Sequence, residues 1–127
     1  MKITGFNPLI VTKDAESAAA LFEALGFEQR HHGRAVNTEG RDVSGIRMKD
    51  ANGFYVDVSQ NDAVPQDLTL IRINVDDFDE AYAFLLSKGF SNPKGDRTVD
   101  TKSNRNAVLV APSGFAIHLC HHIKDHD

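Results

Sequence analysis

Along the first half of the chain, Ile3–Thr12 reads as a strand, and Asp14 stands where it can cap the helix that follows. That helix is expected over 15–25. Its apolar positions Ala18, Leu21, Phe22 and Leu25 recur at three- and four-residue steps, which predicts one buried stripe, and Gly26 ends it. Three strand candidates follow at 27–33, 43–49 and 54–59, with Asp50, Ala51, Asn52 and Gly53 forming a hairpin turn between the last two. The predicted order is strand, helix, strand, strand, strand.

The second half repeats that order. Leu68–Val75 alternates as a strand, Asp77 or Asp79 starts a helix, and Ala81, Phe84 and Leu85 form its apolar stripe before Gly89 stops it. The stretch 92–106 is polar and carries Pro93 and Gly95, so an irregular strand and a mobile loop are expected there before a strand at 107–111. Pro112, Ser113 and Gly114 then turn the chain into a last strand at 115–122.

The copies can be aligned residue by residue. At an offset of 63, Asp14, Ala18, Gly26 and Phe27 fall on Asp77, Ala81, Gly89 and Phe90. At an offset of 61, the run from Asn52 to Val58 falls on the run from Ser113 to Leu119. Self-similarity at a fixed offset is evidence about architecture, and it predicts one domain over 1–127 built from two βαβββ repeats, about 1–60 and 67–123. The connector 60–67 is short and polar, so the repeats are expected to pack on each other or to exchange with a partner chain.

Composition narrows the function classes. A chain of 127 residues that is 41% hydrophobic can bury a modest core, whereas either half alone would be marginal. A net charge of -4 without a basic stripe argues against a nucleic-acid partner. No apolar run is long enough to span a bilayer, and Met1-Lys2-Ile3-Thr4-Gly5 lacks the pattern of a secretory signal, so a cytoplasmic protein without a membrane partner is expected. The single cysteine, Cys120, excludes an intramolecular disulfide.

The double plan, with Asp before each helix, Leu-Gly-Phe or Lys-Gly-Phe after it, and Asn-Gly-Phe or Ser-Gly-Phe before each closing strand, resembles the vicinal oxygen chelate superfamily. That group includes glyoxalase I, extradiol dioxygenases, epimerases, fosfomycin-modifying enzymes and metal-free bleomycin-binding proteins. The resemblance implies an α+β, glyoxalase-like fold in which two modules curl a mixed sheet into a cup, and a homodimer. It places the cup-lining metal positions on Asn7, Asp57, Leu70 and His118. The repeat supports that mapping, because Asn7 falls on Leu70 and Asp57 on His118, so the four are expected to converge.

A divalent metal needs several oxygen or nitrogen donors in one small volume. Leu70 has none and Asn7 offers only an amide oxygen, which leaves Asp57 and His118 as the strong ligands and makes the metal site look incomplete. Residues two apart on a strand share a face. With Asn7 and Asp57 inward, Leu9, Val11, Tyr55 and Ser59 join them; from the second repeat come Leu70, Arg72, Asn74, Ala116, His118, Cys120 and His122. Such a mixed lining suits a small organic ligand, and Arg72 suits an anionic one, with Asn7, Tyr55, Asp57, Arg72, Asn74 and His118 as candidate binding residues.

Arg72 has three readings: a salt bridge to Asp57, a clamp for a carboxylate or phosphate while Asp57 or His118 handles a proton, or an outward position if the register is shifted by one. His118 is either a satisfied cavity histidine or a working one. Cys120 reads as a buried, inert thiol, with a nucleophile beside His118 as the alternative. His121, His122 and His126 give a His-rich tail whose alternating faces argue against a joint metal site, and His31-His32 reads as surface. Two small-molecule functions follow, beside a third reading in which side chains fill the cup and the protein works through its surface as an interaction module. One is a small-molecule-binding protein of the bleomycin-resistance kind with a degenerate metal site; the other is a metal-dependent lyase, isomerase or dioxygenase in which Asn7, Asp57 and His118 hold a divalent cation and Asp57 and His118 are the candidate catalytic residues.

Overall fold

A computed structural model describes residues 1–33, 45–100 and 104–122, with the backbone alone at 31–33. The elements run β1 (Ile3–Thr12), α1 (Ala15–Ala24), β2 (Glu28–Gly33), β3 (Gly45–Lys49), β4 (Tyr55–Gln60), β5 (Leu68–Val75), α2 (Phe78–Ser87), β6 (Val99–Asp100), β7 (Asn104–Val110) and β8 (Ala116–His122). This is the expected βαβββ order, twice. The chain divides into two compact units: the described residues of Asn7–Thr69, and Met1–Phe6 together with the described residues from Leu70 onward.

In the Asn7–Thr69 unit the strand order is β2-β3-β4-β1. The β3–β4 hairpin is antiparallel, and its turn aligns Lys49 with Tyr55 and therefore Arg47 with Asp57. β4 then pairs in parallel with β1, Leu9 against Asp57. In the other unit β5 pairs in parallel with β8, Arg72 against His118, and β8 continues antiparallel to β7 and β7 to β6. The two parallel pairs are equivalent at the offsets read from the sequence. Leu9 falls on Arg72 and Asp57 on His118, so the repeat extends to hydrogen-bond register. The start of β1 belongs with β5: the Asp76 N–H donates to the Lys2 carbonyl (3.1 Å), and the Lys2 N–H donates to Asp76 Oδ1 (2.6 Å).

Both helices begin on the expected side-chain caps. Asp14 accepts the Ser17 N–H at 3.1 Å, and Asp77 accepts the Glu80 N–H at 3.1 Å, each satisfying a donor that has no partner within its helix. Gly89 adopts φ +95°, and a Cβ there would meet Pro112 Cγ at 2.8 Å, so glycine is required twice over.

The helix faces differ from the expected stripes. α1 buries Ala15 and Ala19, with Ala18 and Phe22 packed beside them against Ile46, Met48, Val56 and Val58, while Leu21 and Leu25 are 58% and 65% exposed. α2 buries Phe78 and Ala81, with Tyr82 and Leu85 alongside, against Val75, Ala107, Leu109, Ile117 and Leu119, and Phe84 is exposed. Each true face follows the i, i+3, i+4, i+7 rule. In α1 the small Ala15 and Ala19 let the helix sit close to the strands, which a Leu-based face would prevent.

Boundaries shifted where pairing overrode composition. β7 begins at Asn104, three residues before the expected start of the strand at 107–111, because Asn104 and Arg105 pair with His122 and His121. A two-residue strand, β6, lies within 92–106, where an irregular strand is expected. Residues 101–103, Val43, Ser44, the side chains of His31 and His32, and His126 lie outside the described residues.

Candidate functional site

With α1 covering Val56 and Val58, the other face of the same strands carries Tyr55, Asp57 and Ser59 from β4, Arg47 from β3, and Asn7 and Leu9 from β1. Asn7 and Asp57 are both buried, at 4% and 3% exposure. The Asn7 Nδ2 donates to Asp57 Oδ2 at 2.9 Å and to the Pro8 carbonyl at 2.9 Å. Arg47 Nη1 donates to both carboxylate oxygens of Asp57, at 3.1 Å and 3.3 Å, and the Arg47 guanidinium stands 4.1 Å above the Tyr55 ring. Asn7 Oδ1 is buried and has no hydrogen-bond partner among the described residues. A buried acceptor left in that state costs about 1–3 kcal/mol unless something else donates to it.

In the other unit the face opposite α2 carries Leu70, Arg72 and Asn74 from β5, His118 and Cys120 from β8, and Asn106 and Val108 from β7. His118 Nδ1 lies 3.2 Å from Cys120 Sγ, and His118 Nε2 lies 3.2 Å from Asn106 Oδ1. Asn106 Nδ2 donates to Asn104 Oδ1 at 3.2 Å, which turns the amide so that its oxygen faces the imidazole. The ring therefore carries its proton on Nε2 and leaves Nδ1 as acceptor. Arg72 Nε donates to Cys120 Sγ at 3.4 Å. Burial, and after it the charge of Arg72, push His118 down to a pKa of about 3, so the ring is neutral at pH 7. Leu70 is buried, and Asn74 packs over Gly5 of β1, where a Cβ would come within 3.2 Å of Asn74 Nδ2.

Within one unit, Asn7, Tyr55 and Asp57 share a face; within the other, Leu70, Arg72 and His118 do. Arg72 shares a face with His118 rather than with the residues under α2, so the one-residue register shift is excluded. His122 is exposed and His121 pairs with Arg105 on the neighbouring strand. Sequence reasoning passed over Arg47 and Asn106. Both could have been found from the hairpins, because the turn at 50–54 sets Arg47 opposite Asp57, and the turn at 111–115 sets Asn106 opposite Cys120. A cavity of about 480 Å³ lies elsewhere in the Asn7–Thr69 unit, beside α1, lined by Ile10, Thr12, Ser17, Leu21, Phe22 and Asp67 among others.

Leu70 offers no donor, both oxygens of Asp57 are engaged by Arg47, and both ring nitrogens of His118 are engaged by Cys120 and Asn106. Among the described residues no three His, Cys, Asp or Glu side chains gather in a metal-binding group.

No family model matches the chain, and no curated protein matches it. Solved structures do. Glyoxalase I from Zea mays matches 98% of this chain with a TM-score of 0.66 at 17% identity, and the chain spans only 45% of that enzyme's length. A methylmalonyl-CoA epimerase matches 93% of this chain and 94% of its own, with a TM-score of 0.67 at 23% identity. A variant of the Streptomyces coelicolor methylmalonyl-CoA epimerase, in complex with 2-nitronate-propionyl-CoA, matches 99% of both chains with a TM-score of 0.68 at 18% identity. At such identities the likeness is one of fold.

Proposed function

The chain has the fold of the vicinal oxygen chelate superfamily, and from that premise we propose that it binds a small organic molecule without a tightly held metal. One observation carries the reading: Asn7 Oδ1 is a buried acceptor with no partner among the described residues, beside the Asp57–Arg47 ion pair, whose arginine stacks on the Tyr55 ring. A ligand N–H or O–H would complete that amide, and the apolar ring beside it would receive the ligand's hydrocarbon part. Asn7, Tyr55 and Asp57 in one unit and Arg72, Asn74 and His118 in the other are the proposed binding residues, and Arg47 joins them. We also propose that the ligand carries an anionic group.

The engagement of Asp57 and His118 by neighbouring side chains, with Leu70 lacking a donor, supports a degenerate metal site. It weighs against the metal-dependent lyase, isomerase or dioxygenase reading. The relatives in fold suggest probes: methylmalonyl-CoA for the epimerases and bleomycin for the metal-free members. Calorimetric titration of dialysed protein should show binding of one of them, unaffected by EDTA and reduced at least about tenfold by Asn7→Leu, which deletes the open acceptor. Stoichiometric metal surviving dialysis after metal-replete growth would sink the proposal. We also infer a homodimer in the cytoplasm; a monomeric mass by light scattering at micromolar concentration would refute the first of these.

A further inference from the structure

The face that carries Asn7 and Asp57 also carries two cations, and their charges are used differently. Arg47 gives its charge to Asp57, whose oxygens it meets at 3.1 Å and 3.3 Å. Lys49, two residues along β3 on the same face, makes no hydrogen bond or ion pair among the described residues. Its Nζ stands 5.3 Å from the centre of the Tyr55 ring, directly across the β3–β4 hairpin, and the residue is half-buried. Glu28, which faces Lys49 from β2, turns its carboxylate to Arg30 at 3.7 Å instead. An ammonium held over an aromatic ring gains about 0.5–1 kcal/mol, enough to place it, while its charge stays unanswered. On the far side of β4 lies a second open group. Asn7 Oδ1 has no donor among the described residues, and the nitrogen of the same amide is already committed to Asp57 and to the Pro8 carbonyl. Because β3, β4 and β1 are successive strands, Lys49 and Asn7 stand about 10 Å apart at the backbone.

We propose that Lys49 is the residue that selects the ligand's anionic group, and that the ligand is a compact carboxylate bearing a hydroxyl or N–H donor for Asn7 at its other end. This rests on the ligand-binding reading above and names the ligand class for it. A single unanswered ammonium suits one negative charge, as on a carboxylate, better than the nearly two of a phosphate monoester. The Asn7 oxygen can only accept, so it selects a donor and rejects an ether or ester, which would set oxygen against oxygen. Asn7 is 4% exposed, which restricts that donor to the slender end of the ligand. The two strands flanking β4 thus ask for opposite properties, a full charge at one end of the molecule and a neutral donor at the other.

Three rigid probes separate these demands: 4-hydroxybenzoate has both groups, 4-methoxybenzoate lacks the donor, and 4-hydroxybenzamide lacks the charge. In calorimetric or NMR titrations at pH 7 the first should bind the native protein at least about tenfold more tightly than either of the others. Lys49→Gln should abolish the preference for the acid over the amide while keeping that for hydroxyl over methoxy. Lys49→Arg should keep both, and Asn7→Leu should lose only the second. Equal affinities of the native protein for acid and amide would overturn the inference, as would an unchanged acid preference in Lys49→Gln or binding of none of the three. Binding of methylmalonyl-CoA or bleomycin beside any such result would leave the broader reading standing, whereas stoichiometric metal after dialysis would remove that reading itself.

Discussion

Arg47 and His118 hold their neighbours in opposite ways. Arg47 donates to both oxygens of a buried carboxylate, so its loss removes charge-assisted hydrogen bonds from Asp57. Arg47→Ala should therefore lower stability by about 2 kcal/mol in urea denaturation, and Asp57→Asn in that background should recover part of it. A loss below about 0.5 kcal/mol would mean that the pair is effectively a surface one. His118 instead stays neutral, with a folded pKa of about 3 against the ordinary 6.5. Between those values the unfolded chain binds a proton that the folded one refuses, so stability is full above pH 6.5 and falls as pH drops toward 3. From pH 7 to 5 this group should cost about 2 kcal/mol, and the difference should vanish in His118→Gln. Equal pH profiles for the two proteins would show that the ring is solvated.

For the helices, the chemistry of the buried face is testable by contrast. Ala19 is 2% exposed in α1, and Ala19→Leu should overpack the interface with β3 and β4 at a cost of about 1–3 kcal/mol. Leu25→Ser, on the exposed side, should change stability by less than about 0.5 kcal/mol in the same thermal or urea assay. The reverse order would restore the stripe read from the sequence alone. That stripe failed because α1 has apolar residues nearly all round, so the period of 3.6 was legible but its phase was not. The copies hold the missing phase. Ala15, Ala18, Ala19 and Phe22 fall on Phe78, Ala81, Tyr82 and Leu85 at the offset of 63, whereas exposed Leu21 falls on exposed Phe84. Caps, strand faces and the Asp57 and His118 positions were legible because each rests on local chemistry or a period of two. Arg47 and Asn106 were not singled out, since their importance comes from a cross-strand partner rather than from their own neighbours in sequence.

At the scale of the molecule, the repeat is exact in register and loose in chemistry. Leu9 and Arg72 occupy one slot, Asp57 and His118 another, and each unit has built a different polar group on the same scaffold. The comparisons with solved structures agree with that division, sharing the fold at 17% to 23% identity. The repeats and the compact units nevertheless do not share a boundary. β1 gives its first residues to the unit that begins at Leu70, through the reciprocal Lys2 and Asp76 hydrogen bonds. A gene split between Gln66 and Asp67 would thus yield two polypeptides of which the first still carries an edge that the second needs. Co-expressed, they should elute together on gel filtration, and trimming residues 1–6 from the first should lower the share that does; separate elution of the untrimmed pair would refute this. The strand that starts the chain would then serve as a clasp, making the protein a candidate for a split reporter whose reassembly is read without any covalent joint.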